Sequence, residues 1–82
     1  MNWYTVILLC AEDFADKYAE SYTDWIRAES ATKAAELMKR RLARNLKHDG
    51  YFKDESVAKL AASFETFGVL KGQHTFEALD NA

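Results

Sequence analysis

The chain has 82 residues, a formal net charge of -2 and 49% hydrophobic residues, which fits one small globular domain and excludes an intrinsically disordered protein. The single cysteine, Cys10, excludes an internal disulfide bond, and its place at the end of an apolar run predicts a buried thiol. No basic segment of the signal-peptide type precedes that run, which is too short to span a bilayer. We therefore expect one α+β domain over residues 1–82, cytoplasmic and without a membrane partner, in which residues 73–82 either extend the last strand through Phe76 or form a frayed tail.

Two segments near the start of the chain predict β-strands. Residues 3–10 are apolar at nearly every position and rich in β-branched and aromatic side chains, which is typical of a central strand. Residues 18–28 alternate, which predicts an antiparallel partner strand with the parity of Ile26 towards the core. Trp25 and Arg27 then share the outer face of the sheet, whereas Trp3 is expected to cover a thin core.

The middle of the chain predicts a long amphipathic helix over residues 31–48. Ser30 is a suitable N-cap, small and apolar residues then recur at spacings of three and four, and Gly50 suits the left-handed position after the last turn. Asp54 is expected to cap a shorter helix, and residues 66–71 predict a third strand ended by Gly72. The predicted fold is α+β, in the order β-β-α-α-β: a three-stranded, mainly antiparallel sheet with one long and one short helix packed on one face.

Enzymatic and metal chemistry have little support in the sequence. Only His48 and His74 could act as a general base, and the nucleophile elbow, the phosphate loop and the dinucleotide motif are all missing. His, Cys and carboxylate side chains do not recur at the short spacings of a metal site. We expect a protein that is not an enzyme, with no cofactor and no metal.

The charge distribution offers one candidate surface on the predicted long helix. Six Lys and Arg residues and a single acid, Glu36, lie between positions 33 and 47, which is typical of a solvated helix face. A nucleic-acid-binding protein would use Arg40, Arg44 and Lys47 as phosphate contacts. The net negative charge and the lack of an RNA-binding aromatic motif make this the alternative interpretation.

Aromatic side chains offer the candidate surface that we favour. Trp, Tyr and Arg dominate the energetically important residues of protein interfaces, and the predicted second strand carries all three types. An acidic segment beside this strand could steer the protein towards a basic partner surface. The predicted partner-binding residues are Trp25, Arg27, Tyr22, Glu12, Asp13 and Asp16. An open sheet also leaves an edge strand for a homodimer, which is a further alternative.

The order of elements resembles a group of small phage-encoded accessory proteins. The residues that carry the resemblance are the strand end Trp25-Ile26-Arg27-Ala28-Glu29-Ser30, the helix start Ala31-Thr32-Lys33-Ala34, and a closing strand followed by Gly72-Gln73-His74. The layout is similar to that of the T7-type inhibitors of host RNA polymerase, apart from residues 53–64. The resemblance implies a phage or mobile-element protein that binds a host protein in the host cytoplasm and inhibits or redirects it, and it assigns no individual site residue.

Overall fold

The computed structural model describes residues 1–9 and 21–75. Its elements follow in the predicted order, which confirms the α+β class. They are β1 (Asn2–Leu9), β2 (Ser21–Ala28), α1 (Ala31–His48), α2 (Val57–Ala62) and β3 (Glu65–Lys71). Neither helix combines the length with the apolar character that a membrane crossing requires in this part of the chain.

The three strands form one antiparallel sheet in the order β2-β1-β3. Tyr4 of β1 pairs with Ile26 on one side and with Lys71 on the other. The pairing of β1 with β3 shifts register between Ile7 and Leu8, as at a β-bulge. The prediction that the first strand is central is therefore confirmed, and β2 and β3 are the edge strands of the sheet formed by the described residues.

The ends of α1 have the predicted capping residues. The hydroxyl of Ser30 accepts a hydrogen bond from the backbone N–H of Lys33 at 3.2 Å. At the other end, the N–H groups of Gly50 and Tyr51 donate to the carbonyls of Lys47 and Leu46 at 3.0 and 2.9 Å, which is a Schellman motif. Gly50 has φ +93°, a conformation that favours glycine because it carries no Cβ.

The hydrophobic core lies between α1 and one face of the sheet. Tyr4, Val6 and Leu8 point into it from the central strand, and the partly buried Ile26 packs against it from β2, as its parity predicts. The helices contribute the remaining buried apolar side chains, among them Ala34, Met38, Leu42, Ala43, Leu46 and Leu60. Both helices therefore cover the same face of the sheet, and neither of them packs on the opposite face.

Three predicted details differ from the structure. Ser56, not Asp54, caps α2, because its hydroxyl accepts the N–H of Lys59 at 3.1 Å. The third strand begins at Glu65, one residue earlier than predicted. Residues 73–75 do not extend β3 and are not a frayed end, since His74 is hydrogen-bonded to the sheet. Cys10 and residues 76–82 lie outside the described part of the chain.

Candidate protein-interaction site

The sheet face turned away from the helices is called the outer face here. It carries the odd-numbered residues of β1 and β2, because successive side chains of a strand point to opposite faces. Trp3 pairs with Arg27, and Thr5 pairs with Trp25 on one side and with Leu70 of β3 on the other. The predicted pair Trp25 and Arg27 thus lies on one face, as alternation requires.

The outer face exposes large apolar side chains. Trp3 and Leu70 are each 41% exposed and Trp25 is 37% exposed. The expectation that Trp3 covers the core is wrong, because its neighbour Tyr4 holds the core-facing parity. The guanidinium carbon of Arg27 lies 5.8 Å from the centre of the Trp3 ring, within the range of a cation–π contact. Trp3 therefore belongs with Arg27 in the candidate site.

The chain after β3, residues 72–75, crosses the outer face and is called the crossing segment. Thr5 is fully buried beneath it. Its hydroxyl donates to the carbonyl of Gly72 at 2.8 Å and accepts from the N–H of His74 at 2.9 Å. The carbonyl of His74 in turn accepts from the indole Nε1 of Trp25 at 2.8 Å. The crossing segment therefore links all three strands and fixes the position of the Trp25 ring.

Tyr22 lies apart from the other predicted contact residues. Its phenol donates to Oδ2 of Asp24 at 3.1 Å, and Nη1 of Arg41 donates to the same oxygen at 3.2 Å. Arg41 belongs to α1, so this cluster lies on the helix-covered side of β2. The structure therefore does not place Tyr22 on the outer face with Trp25 and Arg27, because Tyr22 has the opposite parity.

Three further predicted contact residues, Glu12, Asp13 and Asp16, lie outside the described residues. They belong to the connection between Leu9 and Ser21, which are paired at one end of the β1–β2 ladder. Trp25 lies four residues along β2 from Ser21, or roughly 13 Å at the rise of an extended strand.

The basic helix does not present its cations as one set. Arg40 and Arg44 are exposed one turn apart on α1. The ammonium group of Lys47 instead donates to the carbonyls of Lys53, at 3.5 Å, and Glu55 in the loop after the helix. Because the ammonium group of Lys47 is hydrogen-bonded within the protein, only Arg40 and Arg44 of the predicted phosphate-contact residues are exposed.

No group of three or more His, Cys, Asp or Glu side chains suited to a metal ion occurs within residues 1–9 and 21–75. His48 is exposed in the last turn of α1. The Nε2 atom of His74 lies 2.7 Å from the carbonyl oxygen of Lys71, so it carries the proton of that hydrogen bond. His74 is therefore held by hydrogen bonds within the protein, whereas His48 lies on the surface.

Comparisons with protein-family models, with curated proteins and with solved structures gave no match. The resemblance to the phage-encoded inhibitors therefore stays a prediction.

Proposed function

We propose that this protein is a non-catalytic protein-binding module that contacts its partner through the outer face around Trp25 and Arg27. The observation that carries this proposal is the exposure of Trp3, Trp25 and Leu70 on the sheet face opposite α1 and α2, as judged from residues 1–9 and 21–75. Large aromatic side chains with an adjacent arginine supply most of the binding energy of many protein interfaces.

The side chains of Trp25 and Arg27 are held in position before any partner binds, which also supports the proposal. The Trp25 indole is held by its hydrogen bond to His74, and the Arg27 guanidinium lies over Trp3. A side chain that is already fixed loses less conformational entropy on binding, at a saving of about 0.5–1.5 kcal/mol for each rotamer-rich group. This part of the outer face therefore suits a rigid contact with a preformed partner surface.

The partner that we propose is a host protein in the cytoplasm, and the role is to inhibit or redirect it. The support for a phage or mobile-element origin is the resemblance in layout alone. Glu12, Asp13 and Asp16 follow β1 in the sequence and carry negative charge, so a basic surface on the partner would increase the rate of association.

The test is affinity capture from a bacterial lysate, with and without nuclease treatment, followed by titration of the purified captured protein against variants. We expect Trp25→Ala to weaken that affinity by more than about 1 kcal/mol, because truncation removes an aromatic contact. Tyr51→Ala is the matched control, since Tyr51 is an exposed aromatic residue beyond the end of α1. Its affinity should equal that of the unchanged protein.

Equal affinities for the Trp25→Ala and Tyr51→Ala variants would contradict the proposed site. If circular dichroism shows that Trp25→Ala unfolds, Arg27→Ala tests the same face without removing the indole bond. Capture that disappears after nuclease treatment and in Arg44→Ala would favour the nucleic-acid alternative. A molar mass that doubles with concentration in light scattering, without any captured protein, would favour the homodimer.

A further inference from the structure

The two edges of the sheet differ in the backbone groups that they leave available. In an antiparallel ladder, successive residues point their N–H and C=O groups alternately towards and away from a given neighbour. The N–H of Gly72 donates to the carbonyl of Trp3 at 2.7 Å, so Trp3, and with it Thr5, bonds towards β3. Trp25, opposite Thr5, must then point its backbone groups to the free edge of β2.

The same alternation applies on the other side of the sheet. Val6 bonds towards β2, since its neighbour Thr5 bonds towards β3. Val69 is paired with Val6, so the N–H and C=O of Val69 point to the free edge of β3. Trp25 and Val69 are therefore equivalent positions at which a further strand could begin to pair.

The β2 edge is closed at this position. The N–H of Trp25 donates to Oδ1 of Asp24 at 2.7 Å, and its carbonyl accepts from Nη1 of Arg41 at 3.0 Å. An added strand would have to break both hydrogen bonds and displace the ion pair of Arg41 with Asp24. Side chains that occupy edge groups in this way oppose strand addition.

The β3 edge has no such closure among the described residues. No side chain of residues 1–9 or 21–75 is hydrogen-bonded to the backbone of Val69. Beside it, a groove of about 440 Å³ separates β3 from the first half of α1. On the strand side the groove is lined by Thr66 and Val69, and on the helix side by Ala31, Thr32, Ala35, Glu36 and Lys39. The small alanine side chains leave space for the side chain of another strand.

The charges in this groove indicate the chemistry of its occupant. The carboxylate of Glu36 lies 3.7 Å from the ammonium of Lys33. Lys39, which lines the same groove, has no carboxylate within ion-pair distance in the described part of the chain. An additional carboxylate beside Lys39 would therefore complement the groove.

We propose that the β3 edge binds an extended, acidic peptide segment of another protein by strand addition. The segment pairs with the N–H and C=O of Val69, an apolar side chain enters the groove near Ala35, and a carboxylate meets Lys39. Main-chain hydrogen bonds supply affinity in this mode, and the groove supplies selectivity. The inference is independent of the outer-face proposal, because different residues carry it and different substitutions remove it.

The probe is a synthetic seven-residue peptide of alternating threonine and valine with one glutamate, added to the full chain. Amide hydrogen exchange followed by NMR should show that saturating peptide slows the N–H of Val69 at least tenfold. Lys39→Glu should lower the affinity for the peptide at least fivefold, because it places two carboxylates close together. Arg44→Glu, with the same charge change at an exposed position of α1 outside the groove lining, should leave its affinity within twofold.

A second peptide, N-methylated at alternate residues along the edge that would face β3, should not bind, because it lacks the pairing donors. Unchanged exchange of Val69 with millimolar peptide would overturn the proposal, as would slowing at Trp25 instead. Slow exchange of Val69 in the free protein at every concentration would assign the edge to the chain itself. Slow exchange that appears only at high protein concentration would assign it to a second copy, and either result would also overturn the proposal.

Discussion

Thr5→Val tests how the crossing segment is attached to the outer face. Valine keeps the shape of threonine and suits a central strand, but it removes a hydroxyl that makes two hydrogen bonds, to Gly72 and His74. Each such bond contributes about 0.5–1.5 kcal/mol net, so the two together amount to about 1–3 kcal/mol. His74 is exposed, so water replaces part of the loss, and we expect a decrease of about 1–2 kcal/mol in the free energy of unfolding.

The assay is urea denaturation followed by circular dichroism, with Thr5→Ser as the control because serine retains the hydroxyl. A second readout is the indole N–H resonance of Trp25, which should move in Thr5→Val because its acceptor, the carbonyl of His74, is released. An unfolding free energy within about 0.5 kcal/mol of the unchanged protein, together with an unmoved Trp25 resonance, would contradict this prediction. Such a result would mean that the Thr5 hydroxyl does not hold the crossing segment.

Two further substitutions test local geometry. Gly72 has φ +98°, and a Cβ there would lie 3.3 Å from Nε2 of His74. Gly72→Ala should therefore lower the free energy of unfolding by about 1–2 kcal/mol, because an L-residue is strained in the left-handed region. Thermal melting measures this loss, and an unchanged melting temperature would contradict it. Ser30→Ala should lower the free energy of unfolding by about 1 kcal/mol through loss of the N-cap of α1. Thr32→Ala, at an exposed position of the same first turn, should lower it by less than about 0.5 kcal/mol. Equal losses for the two variants would contradict the capping role of Ser30.

The fold follows from local sequence signals to a large extent. Alternation in β2 places Ile26 towards the core, and the caps Ser30 and Gly50 set the limits of α1. The prediction of the N-cap of α2 was wrong because Asp54 and Ser56 are both good capping types. Which of the two residues caps the helix depends on which side chain reaches a free N–H. That is decided by the course of the backbone after Gly50 and not by residue type.

The candidate site was only partly predictable for a similar reason. Strand parity puts Trp25 and Arg27 on one face. For β1, the sequence does not show which residues face the core, because both sets of alternating side chains are apolar. Thr5 is the one signal within that run: a polar side chain in a central strand must find a partner when buried. The partners, Gly72 and His74, are 67 and 69 residues away in sequence, so no local pattern could identify them.

The contact between Asp24 and Arg41 is better explained by specificity than by stability. Both side chains are about two-fifths exposed, and an ion pair of this kind contributes about 0–1 kcal/mol, less at high salt. A carboxylate on the core-facing parity of an edge strand is a poor choice if stability alone is counted. Its position is useful because the same two side chains occupy both free backbone groups of Trp25. The pair thus opposes strand addition at Trp25 of β2, whereas no side chain of the described residues occupies the corresponding backbone groups of Val69 in β3.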